Sequence, residues 1–552
     1  MKKTLSVLLI ITLLFCAALP CYAAGTGNTY YLDAENGSDE NSGTSENAPW
    51  KTLAFASSKA YSRGDKILLK AGSIFDGCFI AQGSGTAENP VVLGAYGDTD
   101  TLGKPIVRSD NDVSLLTIHN VSGWTVENIE FTAPNGKGIY ITADGGAMTT
   151  DITVRNCTFH DIWYKQCPSY NGGHCPIMLS SSGAVSRVRN ITLQNCDIYD
   201  CAYGINMSGL TREWTPDLYV SPEESYNTHF VIEGISLNNI LYDAVIICSV
   251  YDMVIRNCSL INTSLNDDYY TAPMWSHHAS NFTIENCEIA GAKNEKDGMA
   301  VDFDGWTTDS TYQYIYSHDN VRFVRNCCYD NYTKNANCTV RYCLSVNDNK
   351  GENSMAQLLS SGSVTYGEDE AAVGMDNFKF YNNTLINCSE IFCHALTNSV
   401  IANNIFVGKN VLSSMLYMKK NVGDNDEKFI TKYDGVFTNN CFWNMGAAHI
   451  AKNSFLCNPG FVGTDETDKN SFVLSTKSRL LGKGIQAEED MGEHDFYGNP
   501  LTDVHNIGCY EGTGEKMQEK AGFFKTIAHF FGTLLGSIAC FIINCNNTYW
   551  LF

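Results

Sequence analysis

Along most of this chain, short apolar–polar alternations of strand type recur, and each is interrupted at one position, usually by asparagine. In Ile152-Thr-Val-Arg-Asn-Cys-Thr-Phe159 the period of two puts Ile152 and Val154 on one face. Cys157 and Phe159 fall an odd step further on, yet must face the same way. A single left-handed residue between two strands reconciles them, and Asn tolerates that conformation better than any other non-glycine residue. Eleven copies align on it: Asn128, Asn156, Asn195, Gly234, Asn257, Asn286, Tyr314, Tyr342, Asn382, Asn403 and Asn439. An apolar or aromatic residue stands two places earlier in every copy, from Val126 to Phe437. The spacing varies between 21 and 40 residues. Fixed strands joined by variable loops predict a solenoid in which each repeat stacks on the next.

The anchors, stacked ~4.8 Å apart, are expected to hydrogen-bond along the stack. The next position carries Cys157, Cys196, Cys258, Cys287 and Cys343, which read as small buried hydrophobes. Five residues after the anchors runs a second ladder of turn formers, including Asp161, Asp200, Asn239, Asn262, Gly291, Asp319, Asn347, Asn387, Gly408 and Asn444. It marks a second bend in every coil. The string Ser317-His318-Asp319-Asn320 therefore reads as part of a turn ladder rather than as a catalytic triad.

With these repeats the chain resembles a right-handed parallel β-helix of the pectate lyase-like superfamily, most of whose enzymes cut polysaccharides. The segments from Tyr30 to Gly43, Ala48 to Leu53 and Gly64 to Gly72 resemble the N-terminal module of secreted bacterial β-helix carbohydrate enzymes. Asp495 to Pro500 and Ile507 to Glu511 resemble their closing segment. The fold class is all-β, a right-handed parallel β-helix of about eleven coils with caps at both ends. The expected division is 1–23 signal peptide, 24–105 N-terminal module, 106–460 β-helix core, 461–511 closing segment and 512–552 linker with hydrophobic tail.

Lys2, Lys3, the apolar run from Leu5 to Leu19 and the small residues before Gly25 predict a secretory signal, hence export. Thr526 to Ile543 is 18 residues long and poor in charge, at the lower limit for spanning a bilayer. It predicts membrane contact by spanning or by lying on the surface, with capping of the solenoid's open end as the alternative. The net charge of −23 argues against a nucleic-acid partner. Mostly free thiols are expected, with Cys388–Cys393 and Cys167–Cys175 as the pairs best placed to bridge. His160, Cys167, His174 and Cys175 are zinc-ligand types, but their spacing matches no known zinc pattern. Asp33, Glu35, Asp39 and Asn41 offer oxygen ligands for a possible Ca²⁺, although an Asx-bonded turn accounts for them better. A monomer acting on glycan is expected.

The resemblance places substrate on the outer face of the strand that follows the second bend. There Val301 and Phe303 point inward and Asp302 and Asp304 outward. Counting to the next anchor stacks Trp275 on Asp302 on Arg322, and His277 on Asp304. Lys293, Glu295 and Asp297 join them from the preceding loop. Two carboxylates at i and i+2 stand ~6.6 Å apart at the backbone, and like charges at that range push one pKa up, giving an acid and a base. That favours a glycoside hydrolase with Asp302 and Asp304 as catalytic pair and Trp275, His277, Arg322 and Lys293 as substrate contacts. The alternatives are a Ca²⁺-dependent polysaccharide lyase, in which Arg322 or Lys293 takes a proton, and a non-catalytic glycan-binding surface protein.

Overall fold

The computed structural model describes residues 27–163, 173–183, 185–209, 226–326, 335–350, 357–360, 375–388, 390–394, 396–409, 414–415, 435–445 and 452–517. For 357–360, 390–394, 397 and 414–415 it describes the backbone alone. The expected signal segment and the apolar tail lie outside these residues. Among the described residues no helix is long and apolar enough to cross a membrane.

Three parallel sheets wind into a right-handed β-helix, with fourteen, nine and fourteen strands among the described residues. The anchor sheet runs from Thr29–Leu32 to Gly435–Thr438. Each of the eleven repeats supplies one of its strands, and Thr29–Leu32, Lys66–Lys70 and Val91–Tyr96 precede them. The sheet that follows the anchors runs from Ile74–Asp76 to Phe455–Leu456. The nine-stranded sheet runs from Phe79–Ile80 to Arg322–Asn326 and is called here the groove sheet. The interior is filled by the inward residues of all three, with Trp124, Phe131, Phe159 and Phe303 essentially without solvent contact. Cys157, Cys196, Cys258, Cys287 and Cys343 are buried free thiols, as the repeat predicts.

All eleven anchors have φ between 50° and 64°, the left-handed kink that the broken alternation requires. The second ladder is left-handed too, except at Gly408, where the pairing of neighbouring strands is irregular. A third left-handed ladder lies five residues before the anchors and was not apparent in the alternation: Asp151, Asn190, His229, Asp252, Asn281, Asp309, Asn337, Asn377 and Asn398. The expected anchor-to-anchor bonding is largely absent. Among the described residues one such bond joins Asn403 Nδ2 to Asn382 Oδ1 at 2.9 Å. Ladder bonding sits instead in the second and third ladders, as from Asn387 to Asn347 and from Asn337 to Asp309, and one place after the anchors, where Asn383 donates to Asn404 at 3.1 Å and Asn404 to Asn440 at 3.0 Å.

Neither expected disulfide forms. Cys388 and Cys175 are buried free thiols whose Sγ atoms approach the carbonyls of Leu385 and Ile177. Cys388 packs in the main core and Cys175 in a separate cluster with Ala202, Tyr203 and Tyr242. Cys167 and the Cys393 side chain lie outside the described residues. At the N-terminus Asp33 accepts from the amides of Glu35 and Asn36 and pairs with Lys70 at 2.7 Å. Asp39 accepts from the amides of Lys51 and Thr52. Asp33 thus forms an Asx-type turn, whereas Asp39 ties its loop to the segment at Lys51 and Thr52.

Residues 485–511 fold back along the anchor corner, where Met491 packs with Tyr314, Tyr342 and Tyr381. Glu488 accepts from Lys379 and Tyr381, and Glu511 accepts from Tyr342 and Asn382. This explains the two tyrosine anchors: their rings face outward beneath the closing segment and give it an apolar seat.

Candidate active site

The last four strands of the groove sheet are Val245–Cys248, Met274–His277, Met299–Phe303 and Arg322–Asn326. Their pairing places Ile246, Trp275, Asp302 and Arg325 in one outward column. Cys248 and His277 begin a second column. Asp304 continues it, since its amide donates to Ser276 O at 2.9 Å just beyond the ladder. The expected stacking of Trp275 on Asp302 and of His277 beside Asp304 is therefore present.

Arg322 is not in that stack. It pairs with Met299, and Arg325 stands opposite Asp302. The partner of Asp302 therefore lies three residues further along the chain than the anchor count implies. From Asp200 to the inward Ile205 is five residues, and from Asp319 to Val324 is again five. That count identifies Arg325. Arg322 instead holds the preceding loop, donating to the carbonyls of Asp297 and Glu295.

This loop brings in a carboxylate that sequence reading assigned no role. Asp297 Oδ1 accepts from Arg325 Nη1 at 2.6 Å. Burial pushes the Asp297 carboxyl above the usual range and outweighs the lowering pull of Arg325 and Arg322. The loop is also latched to its neighbour on the previous coil: Asn294 Nδ2 donates to the carbonyls of Asn266 and Tyr269 at 2.6 Å. Lys293 is exposed on it, with its amide bonded to Ser264 O. Among the described residues its side chain makes no hydrogen bond or ion pair.

Asp302 is 5 % exposed, whereas Asp304, Trp275 and His277 are each partly open. His277 and His278 share a 2.7 Å hydrogen bond between their Nδ1 atoms, so one ring donates and the other accepts. Burial, with His278 alongside, pushes His277 down to about 3, and burial pushes His278 down to about 4. Both rings are neutral at ordinary pH. Trp306, two residues past Asp304, stacks on His278 with ring centroids 5.8 Å apart. His278 and Trp306 were also missed, because alternation counts end where the strand ends.

Elsewhere, Ser317 points into the coil and donates to Asp348 at 2.6 Å, while His318 faces outward between Asp319 and Glu288. Successive residues of a strand face opposite sides, so Ser317 and His318 cannot act together. Of the zinc-type residues, His160 is bound between Glu130 and Asp161, His174 stacks on Trp163 and meets Asp112, and Cys175 is buried.

An acidic pair on one rung, a third acid on a latched loop, neutral imidazoles and two indoles lie along the last strands of the groove sheet of this right-handed parallel β-helix. No family model matches the chain. A lacto-N-biosidase of Bifidobacterium longum subsp. longum is 25% identical over 487 residues, which is 69% of this chain and 29% of that protein. The chain thus spans about three tenths of the length of this relative. Among solved structures, a lacto-N-biosidase from Eubacterium ramulus is 18% identical, with 78% of this chain and 67% of that chain covered and a TM-score of 0.46. XylC in complex with xylose is 12% identical, with 88% and 99% covered and a TM-score of 0.47.

Proposed function

We propose that this protein is a glycoside hydrolase of lacto-N-biosidase type, exported and acting on glycans at the end of the groove sheet. The observation that carries this reading is the outward column of Trp275, Asp302 and Arg325, with His277 and Asp304 beside it and Asp297 bonded to Arg325. Asp302 and Asp304 are the strand carboxylates, and Asp297 adds a carboxyl whose burial favours its protonated form. Asp297 suits the proton donor to the leaving oxygen. Asp304, the more open of the strand pair, suits the ionised partner that attacks the sugar or activates water. Asp302 faces Arg325 and keeps that guanidinium beside Asp297. Trp275 offers an aromatic face for a sugar.

Lyase chemistry is less well supported. Arg322 is engaged with backbone carbonyls and Arg325 with Asp297, so these cations serve the site's framework. The 25% identical lacto-N-biosidase also favours hydrolysis. The test is incubation of the full chain with para-nitrophenyl lacto-N-bioside and with uronate-containing polysaccharides. Release of nitrophenol and lacto-N-biose is expected. Unsaturated uronate products would replace this reading with the lyase, and binding without any cleavage would replace it with the glycan-binding protein.

A further inference from the structure

We infer that Trp306 is a specificity-determining residue, reading one substrate hydroxyl through its indole N–H while its ring and that of His278 wall the sugar beside Asp304. The inference rests on the glycan reading above.

Its first support is backbone conformation. The corner that ends the groove sheet is left-handed on three successive coils, at Ser249, His278 and Trp306, with φ of 57°, 48° and 65°. Small or amide-bearing residues fill such corners at low cost, as the asparagine ladders of this chain show. A bulky aromatic with positive φ is uncommon; at Tyr314 and Tyr342 packing under the closing segment accounts for it, and Trp306 is not part of that cluster. Gly305 stands immediately before it, where the folding requirement alone would be met at less strain. Strain retained next to a carboxylate cluster points to function.

The second support is an orphaned donor. Trp306 Nε1 is buried and has no hydrogen-bond partner among the described residues. A buried N–H without an acceptor destabilises the protein, and a ligand oxygen placed against it recovers that loss. The third is the character of the wall. His278 lies against the indole, and its ring is neutral because burial holds it near 4. An uncharged aromatic surface carrying a single donor matches a neutral sugar, whose ring C–H face is apolar and whose edge bears hydroxyls. It matches a uronate poorly.

The test is a cycle of Trp306→Phe against monodeoxy analogues of lacto-N-biose, with binding measured by calorimetry on the full chain carrying Asp304→Asn. The substitution keeps a ring and removes the N–H. One analogue should bind about tenfold more weakly than lacto-N-biose when Trp306 is present and equally well when it is replaced. Losses that multiply independently for every analogue would overturn the inference. Hydrolysis by the unsubstituted protein is scored separately. If it cleaves lacto-N-biosides while the cycle shows no coupling, the Trp306 inference alone falls. If coupling appears without cleavage, the inference stands and the hydrolase reading falls.

Discussion

Arg325 Nη1 lies 2.6 Å from Asp297 Oδ1 while the same residue stands opposite Asp302 in the strand ladder. One guanidinium therefore links the loop carboxyl to the strand pair. Burial raises Asp297, and Arg325 opposes that rise. Removing the cation by Arg325→Gln should lift Asp297 further. If Asp297 is the proton donor, the alkaline limb of the kcat/KM profile must then move to higher pH, because a general acid works below its own pKa. A profile that keeps its limb while activity falls would reduce Arg325 to a packing role and take the donor role away from Asp297.

The carboxylates themselves give a sharper contrast. Asp297→Asn and Asp304→Asn should each lower turnover ~10²–10⁴-fold with the melting transition preserved, and Asp302→Asn, which acts through Arg325, should cost less. Asp319→Asn should keep full activity, since Asn239, Asn262, Asn347 and Asn387 already fill that turn position on other coils. Rates on a lacto-N-bioside check both statements. Loss at Asp319 with survival at Asp297 and Asp304 would place the chemistry on the wrong sheet.

Anchors should fail in two different ways. At Asn257, with φ of 56°, Val adds a β-branched side chain to a left-handed corner and should cost ~1–3 kcal/mol. Chemical denaturation checks this, and an unchanged midpoint would contradict the kinked-strand explanation. Tyr314→Asn keeps an acceptable corner residue but removes the ring that stacks on His494 at 4.1 Å. Hydrogen exchange should then accelerate in 485–501 and stay unchanged in the core strands.

Much of the fold was legible because the β-helix writes its geometry as a period: each kink needs a residue that accepts positive φ, and Asn recurs where it does. The third ladder was hidden on the coils where its members sit inside continuous strands, as Asp151 does within Met148–Arg155. Alternation also placed Trp275 against Asp302 correctly, because both strands hold their register to the same corner. It failed at Arg322, three residues short of the true partner Arg325. Asp297 could be placed in the neighbouring loop but given no role, and His278 and Trp306 were beyond reach, being set by corner conformation rather than by strand period.

Two groups of histidines should pull stability in opposite directions with pH. At His160 burial alone would lower the pKa, but hydrogen bonds to Asp161 and Glu130 outweigh it and raise the group above its ordinary value. A raised pKa stabilises the fold fully below the unfolded histidine value of ~6.5. That contribution is lost as pH rises through the folded value. His277 and His278 are depressed to about 3 and about 4, with burial the largest cause at each. Their contribution is present above ~6.5 and is lost as pH falls toward those lower values, because the unfolded chain takes up protons that the folded site resists. Denaturant midpoints of His160→Gln should accordingly fall below those of the unsubstituted protein at about pH 5 and converge with them in the alkaline range. His278→Gln should do the reverse in slope, flattening the acid-side decline. An equal penalty for His160→Gln at both ends of the range would show that its ion pairs with Glu130 and Asp161 do not depend on its charge.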